Sequence, residues 1–566
     1  METRPRIFLL LVSVSVVTLA YSLWPYRRLS FYGSKLMGEP SSNTSSVIPT
    51  DSSRENSSYP GNKCNQQPQQ RRRQQQQQRQ QQSSVLNEIT SLHASGPMSH
   101  ISLVGINKTY GLNETVHVKI VLFDHWKRPK TCGGDVLVVW MKDPQHGAAS
   151  AGSVIDNGNG TYTGVLRTLW TGRAIIRAAM ISSNERTAHL NFAFENGYFG
   201  KRIQCIFKSN TSSEITSGHM EVKYMKIRPF CNLTADYFGI PFYCGKPKTK
   251  GIGCKDWKET SLPHNYMTFD ADTKWFSAWR STEYLSDFVT INISSKRHEK
   301  DLAVSPKIPC GRRNFRDTWL ATPPVGFSYN KTWRPLSCRN SVPVDTYNQC
   351  LANKTVKLFG DSTVRQIFGA LYSMLGFTIT KGPPEGKRTK KRNFYEGPTI
   401  CEANHPKYNY TVYLLPHGFP LWFAKANRTI TKPVFARLDD IPSGSNDIIL
   451  INLYAHFHFT PIHIYRARVH RTRIAIESLL KRSPDVKIVI KGPHKFSVPT
   501  PITPLGGMWG PAYENILKKE FVNLYDQVMY LDVWDMTVAF ENEETHPHDL
   551  LVVMMVKVFL GFICGK

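Results

Sequence analysis

Ser362 follows Gly360 and Asp361 at the end of an apolar run, Thr355-Val-Lys-Leu-Phe359, and precedes a helical stretch from Arg365 to Leu375. A serine at such a strand-to-helix turn presents its hydroxyl where backbone N–H groups can face a developing oxyanion, and Gly360 permits the sharp turn. A bare Gly-Asp-Ser is more often an N-capping serine, so the context has to decide. An aliphatic hydroxyl is barely nucleophilic at neutral pH until a histidine takes its proton. His546 is the first choice for that base and His548 the competitor, because both fall in a loop between the last strand and a C-terminal apolar helix. No set of cysteines has zinc-site spacing with histidines nearby, so no metal is expected.

The elements around the serine alternate strand and helix. Asp447–Asn452, Val486–Ile490 and Val528–Asp532 read as buried strands, separated by a basic amphipathic helix from about Pro461 to Lys481 and a second helix from Tyr513 to Tyr525. Alternation of this kind implies a parallel sheet with covered faces, and sites in such sheets lie beyond the carboxyl ends of the strands, where Ser362 falls. The expected class is therefore a multidomain chain whose α/β domain spans 337–566. Before it, Val116–Leu122, Val136–Trp140, Thr161–Leu166 and Arg173–Ala178 alternate apolar and polar residues, with glycine-rich turns at Gly133-Gly134 and Asp156–Gly160, which reads as an N-terminal β-sandwich over 97–255. The stretch 256–336 is taken as a connector; its Trp257, Trp275, Trp279 and Trp319 argue that it caps one domain or the other.

The chain has 566 residues, 41% of them hydrophobic, and a net charge of +28. Ile7 to Trp24 is apolar and flanked by Arg4, Arg6, Arg27 and Arg28, so 1–6 reads as a cytosolic tail and 7–24 as a signal anchor, with a cleaved signal peptide as the alternative. Residues 25–96, rich in Gln, Ser and Arg, have the composition of a disordered stem. Sequons at Asn43, Asn56, Asn107, Asn113, Asn159, Asn210, Asn232, Asn292, Asn330, Asn353, Asn409 and Asn427 place everything past Arg28 in a lumen. That compartment excludes nucleic acid as a partner despite the charge. It also predicts disulfides among Cys132, Cys205, Cys231, Cys244, Cys254, Cys310, Cys338, Cys350, Cys401 and Cys564, leaving Cys64 in the stem for a disulfide-linked dimer or a plain thiol. The expected location is the Golgi lumen as a single-pass type II membrane protein, with secretion as the alternative. The basic run Lys387, Arg388, Lys390, Lys391 and Arg392 reads as a solvated loop or as a site that captures an anionic glycan.

Leu358-Phe-Gly-Asp-Ser-Thr-Val-Arg-Gln366 resembles the Gly-Asp-Ser block of the PC-esterase group of SGNH/GDSL-like hydrolases. Trp333-Arg-Pro-Leu-Ser-Cys338, Asn452-Leu-Tyr-Ala-His-Phe457, Asp532–Ala539 and His546-Pro547 are similar to the C-terminal domain of the NXPE family, which joins a neurexophilin-like sandwich to a PC-esterase domain. Arg128–Asp135 and Asn159–Tyr162 resemble that sandwich. The resemblance implies an SGNH-like fold and a serine-dependent O-acyl, most simply O-acetyl, transferase acting on glycans such as sialic acid. Such an enzyme would take an acyl donor such as acetyl-CoA as co-substrate. A carbohydrate O-acetylesterase and a non-enzymatic neurexophilin-like binding protein are the alternatives. Related esterases carry an Asp three residues before the histidine, where this chain has Glu543; Asp535 or Asp532 is the other candidate to orient the imidazole. Gly360, Asp361, Asn452 and His456 are assigned to oxyanion or substrate contacts, with scaffold roles as the alternative for the last two. Arg365 is expected to anchor an anionic group or brace its helix.

Overall fold

The structure is a computed structural model. It describes residues 93–195, 203–225, 228–261, 282–295, 306–340, 342–382, 400–416, 432–458, 460–497 and 507–565. The expected anchor, Cys64, Trp275, Trp279, the basic run at 387–392 and the sequons at Asn43, Asn56 and Asn427 lie outside the described residues, as does nearly all of the expected stem. Among the described residues no helix is long and apolar enough to cross a membrane.

The alternating run around Val116 forms the strand Thr115–Asp124, in which Val116, Val118, Ile120 and Leu122 are buried and every other side chain faces away. It belongs to a sandwich-like sheet with the order Ala94–Leu103, Thr115–Asp124, Thr161–Arg167, Ala148–Asp156, Val136–Asp143, Gly172–Ser182, Val289–Ser294, Thr109–Gly111. The strand Ala148–Asp156 makes the corner. Its first half pairs with Val136–Asp143 and its second half with Thr161–Arg167. At the changeover a Cβ on Gly152 would stand 2.5 Å from the Val165 carbonyl oxygen, so only glycine fits.

Two features depart from the expected boundaries. The stretch 203–261 forms a separate five-stranded sheet stapled by Cys205–Cys244 and Cys231–Cys254. The expected connector supplies strands of its own to the sandwich: Val289–Ser294 and Glu283–Tyr284 pair with Gly172–Ser182, and Gly326–Tyr329 meets Ala149. Its Trp319 is buried against Phe521, Tyr525 and Tyr530 and donates its indole N–H to the Val528 carbonyl at 2.6 Å, so this part of the chain packs on the C-terminal domain.

The C-terminal sheet has the order Thr378–Lys381, Cys401–His405, Tyr410–Pro416, Thr355–Gly360, Ile448–Asn452, Lys487–Lys491, Val528–Leu531. The last five of these are mutually parallel and the first two form an antiparallel edge. Ile448 to Asn452 are all buried, as a strand covered on both faces must be. Each such aliphatic side chain removed from water stabilises by roughly 1.5–3 kcal/mol. The helices Ser362–Leu375 and Asp549–Cys564 pack together on one face, and Ile462–Arg482 and Gly510–Glu520 cover the other.

Among the described residues four disulfides have both cysteines in place, Cys205–Cys244, Cys231–Cys254, Cys310–Cys338 and Cys350–Cys564, and Cys132 is also disulfide-bonded, consistent with folding in an oxidising compartment. Cys401 is a correction to the expected pairing: it stays a buried thiol, pushed up to about 11 by burial against the opposing charge of Arg365. Cys350–Cys564 closes a 214-residue separation and fixes the last turn of the C-terminal helix. Replacing both cysteines with serine is expected to cost about 2–5 kcal/mol, read as a lower urea midpoint under oxidising conditions. An unchanged midpoint would mean that packing alone holds that helix.

Candidate active site

Ser362 opens the helix Ser362–Leu375 directly after the strand Thr355–Gly360, at the carboxyl end of the parallel sheet. Asp361 is the helix cap. Its Oδ1 accepts the Thr363 N–H at 2.8 Å and the Thr363 hydroxyl at 2.7 Å, while its Oδ2 accepts the Ala455 N–H at 3.1 Å. The Asp361 carbonyl takes the Val364 and Arg365 amides at 3.1 and 3.3 Å. Among the first-turn amides, that of Ser362 itself is the one Asp361 does not take, and it lies at the nucleophile, where an oxyanion would form. With both carboxylate oxygens turned inward, Asp361 welds the serine turn to the neighbouring strand end and does not present itself to a substrate.

Gly360 is required by closeness and not by backbone angle. A Cβ there would stand 2.4 Å from Val364 Cγ2 and 3.1 Å from Asn452 Cβ. Asn452 ends the neighbouring strand, is fully buried and donates its amide to Thr363 Oγ1 at 3.0 Å, so it braces the turn from behind. His456 lies in the short turn Ala455–Phe457 that Asp361 holds, and it too is buried. Arg365 is half-buried one turn along the helix, close enough to Cys401 for its charge to act on that thiol.

His546 meets the serine: its Nε2 is 2.7 Å from Ser362 Oγ, and both residues are half-buried. With the hydroxyl donating, Nε2 is the acceptor, which is the geometry of a base taking the serine proton. His548 is exposed and stands at the cap of the C-terminal helix. The three candidate acids each hold a bond elsewhere. The Glu543 carboxylate accepts the Tyr284 hydroxyl at 2.5 Å, and the buried Asp535 accepts the Val325 N–H at 2.7 Å. Asp532 accepts the Trp534 N–H at 2.9 Å and is pushed up to about 7 by burial and by Glu514 nearby. Burial and the neighbouring Asp532 hold Asp535 well above the usual carboxylate range.

The backbone on either side of His546 is clamped instead. His494 donates its Nε2–H to the Thr545 carbonyl at 2.9 Å and Gln366 donates to the Pro547 carbonyl at 2.8 Å. Asn542 donates to the carbonyls of Lys495 and Glu544 at 2.7 and 2.8 Å, and the Glu543 carbonyl takes the Ser497 N–H at 2.8 Å. None of these partners was singled out from sequence. The only signal was a cluster of polar residues, Lys491 to Ser497, directly after an apolar strand.

Lys491 pairs in register with Asn452, so the strand ends carry Gly360, Asn452 and Lys491 side by side. Burial pushes the Lys491 amine down to about 8, against the attraction of Asp361. Burial first, then the Lys491 charge, hold the His494 imidazole well below the usual histidine value. A neutral His494 with Nε2 protonated suits its bond to Thr545. Its Nδ1 is buried and has no hydrogen-bond partner among the described residues.

Fold and site together define an α/β domain with a serine–histidine pair at the carboxyl ends of its parallel strands. Residues 333–564 match the family model described as NXPE family member 4-like, C-terminal domain. Among solved structures, the Lin-41 filamin domain is 13% identical over 15% of this chain and 80% of its own, with a TM-score of 0.13. A carbohydrate esterase family 2 enzyme with a carbohydrate-binding domain, from Corynascus thermopiles (Myceliophthora fergusii), is 11% identical over 42% of this chain and 70% of its own, with a TM-score of 0.20. Likeness at these scores fixes neither fold nor chemistry.

The His494 clamp has a pH signature. Its folded-state pKa lies below the usual 6.5, so as pH falls through that value the unfolded chain takes the proton first and stability is lost. The melting temperature is expected to drop between pH 7.5 and 5.5 by more in wild type than in His494→Gln, which keeps a side-chain N–H donor but does not titrate. Equal drops would remove His494 from this account.

Proposed function

We propose that the C-terminal domain is an SGNH-like, PC-esterase-type O-acyltransferase of the secretory pathway that acts on glycans such as sialic acid. The 2.7 Å bond between Ser362 Oγ and His546 Nε2 carries the reading. In the first half-reaction Ser362 Oγ attacks the carbonyl of an acyl donor such as acetyl-CoA while His546 Nε2 takes its proton. The tetrahedral oxyanion is met by the Ser362 N–H at the helix start, and the leaving group departs with the proton returned by His546. In the second, a sugar hydroxyl gives its proton to His546 and attacks the acyl-serine, which releases the acylated glycan and restores the serine.

Water as the second nucleophile would make the same residues a carbohydrate O-acetylesterase. The neurexophilin-like reading of the sandwich, with Golgi retention through the 7–24 anchor, belongs to the same proposal. One observation favours a non-enzymatic binding protein instead: Glu543, at the position of the expected orienting acid, is spent on Tyr284.

Mass-spectrometric profiling of O-acetylated glycans in cells expressing wild type, Ser362→Ala or His546→Ala decides between these readings. A rise above untransfected cells that both substitutions abolish, by at least about 100-fold in specific activity, is the expected result. A fall that both abolish would make the protein an esterase. No change with all three proteins folded and correctly localised would leave the binding-protein reading.

A further inference from the structure

The sandwich-like sheet reaches the loop that carries His546. Trp140 and Lys142 lie two apart on the strand Val136–Asp143 and so share one face. Both point at Glu541. The Trp140 indole N–H donates to Glu541 Oε1 at 2.9 Å, and Lys142 Nζ donates to Oε1 and Oε2 at 2.6 and 2.8 Å. The pair is partly shielded, with about a quarter of each side chain exposed, 24% and 28%. Glu541 has φ of 53°, a left-handed conformation that an unbranched acidic residue adopts only when its surroundings hold it there. Two residues on, Glu543 is taken by Tyr284, on the short strand that pairs with Gly172–Ser182, and the Tyr284 ring meets the Trp140 ring edge-on at 5.9 Å. The burial of Tyr284 raises its hydroxyl pKa, so it stays a proton donor to Glu543.

We infer that the sandwich is a positioning domain for His546: Trp140, Lys142 and Tyr284 grip Glu541 and Glu543 from outside the C-terminal domain and hold the 541–547 loop at the distance the serine requires. This assigns the N-terminal domain a part in the reaction itself, beyond any role in recognising a glycan. It rests on the serine–histidine reading above. Glu543, at the position of the expected orienting acid, is itself held by Tyr284, and a displacement of about 1 Å at a reacting group can cost about 100-fold in rate.

The test uses the full chain as wild type, Lys142→Met, Lys142→Arg and Glu541→Gln, with Arg128→Met as a control that breaks the Arg128–Asp124 ion pair elsewhere in the same domain. Two quantities are read: amide hydrogen exchange of 541–548 by mass spectrometry, and turnover of p-nitrophenyl acetate as kcat and KM across pH. Lys142→Met and Glu541→Gln are expected to speed exchange in 541–548. They should lower kcat about 10- to 100-fold with KM within about 2-fold. Lys142→Arg should restore both, and Arg128→Met should change neither. Unchanged exchange and kcat in Lys142→Met and Glu541→Gln would overturn the inference, as would the same losses in Arg128→Met. If Lys142→Met does not fold, Glu541→Gln, which removes only a charge, carries the same expectation. A wild type without ester turnover would sink the serine–histidine reading, and the exchange comparison would still decide whether the sandwich holds the loop.

Discussion

The hydrogen bond between Ser362 and His546 joins groups 184 positions apart, and the rest of the site exists to make that separation irrelevant. The two partners are held by different means. Ser362 is placed by regular structure: a buried parallel strand delivers it, and a helix cap in which both carboxylate oxygens of Asp361 accept hydrogen bonds fixes its turn. His546 sits on irregular backbone, which has no ladder of its own and must find partners residue by residue. It finds them in His494, Gln366, Asn542 and Ser497 within the domain, while Lys142, Trp140 and Tyr284 of the sandwich hold the side-chain carboxylates of Glu541 and Glu543.

This arrangement sets the electrostatics behind the site. Asp361, Lys491 and His494 are all buried within reach of one another's charge. In such surroundings an unpaired charge is costly. The Asp361 carboxylate is stabilised by three donors, Lys491 sits at the threshold of losing its proton, and His494 stays neutral. A neutral His494 is what lets a fixed N–H reach the Thr545 carbonyl, one residue from His546. The order in which these groups charge therefore matters to the loop, even though none of the three touches the serine hydroxyl.

Much of this was legible in the sequence, for a physical reason in each case. Buried parallel strands are continuous apolar runs, so Thr355–Gly360, Ile448–Asn452, Lys487–Lys491 and Val528–Leu531 stood out, and the strand-to-helix turn with its glycine marked Ser362. Strands built of small or mixed residues did not. Ala148–Asp156, with Ala, Ser and Gly in its first half, is buried by close approach and not by hydrophobicity. Gly360 was picked for its turn, but it is needed because Val364 and Asn452 leave no room for a Cβ. The clamps were illegible because their acceptors are backbone carbonyls, whose partners no side-chain pattern announces. Glu543 shows the converse: its spacing from His546 suggested a triad acid, but a short strand from the stretch taken as a connector, Glu283–Tyr284, claims its carboxylate.

The central claim is that His546 makes Ser362 a nucleophile. Its most direct measurement is covalent labelling of the intact protein with a fluorophosphonate, with the modified residue located by peptide mass spectrometry. Stoichiometric, pH-dependent modification of Ser362, slowed by at least about 100-fold in a folded His546→Ala protein, is the predicted result. A folded wild type that stays unlabelled at Ser362, or a His546→Ala protein labelled as fast as wild type, would contradict the account.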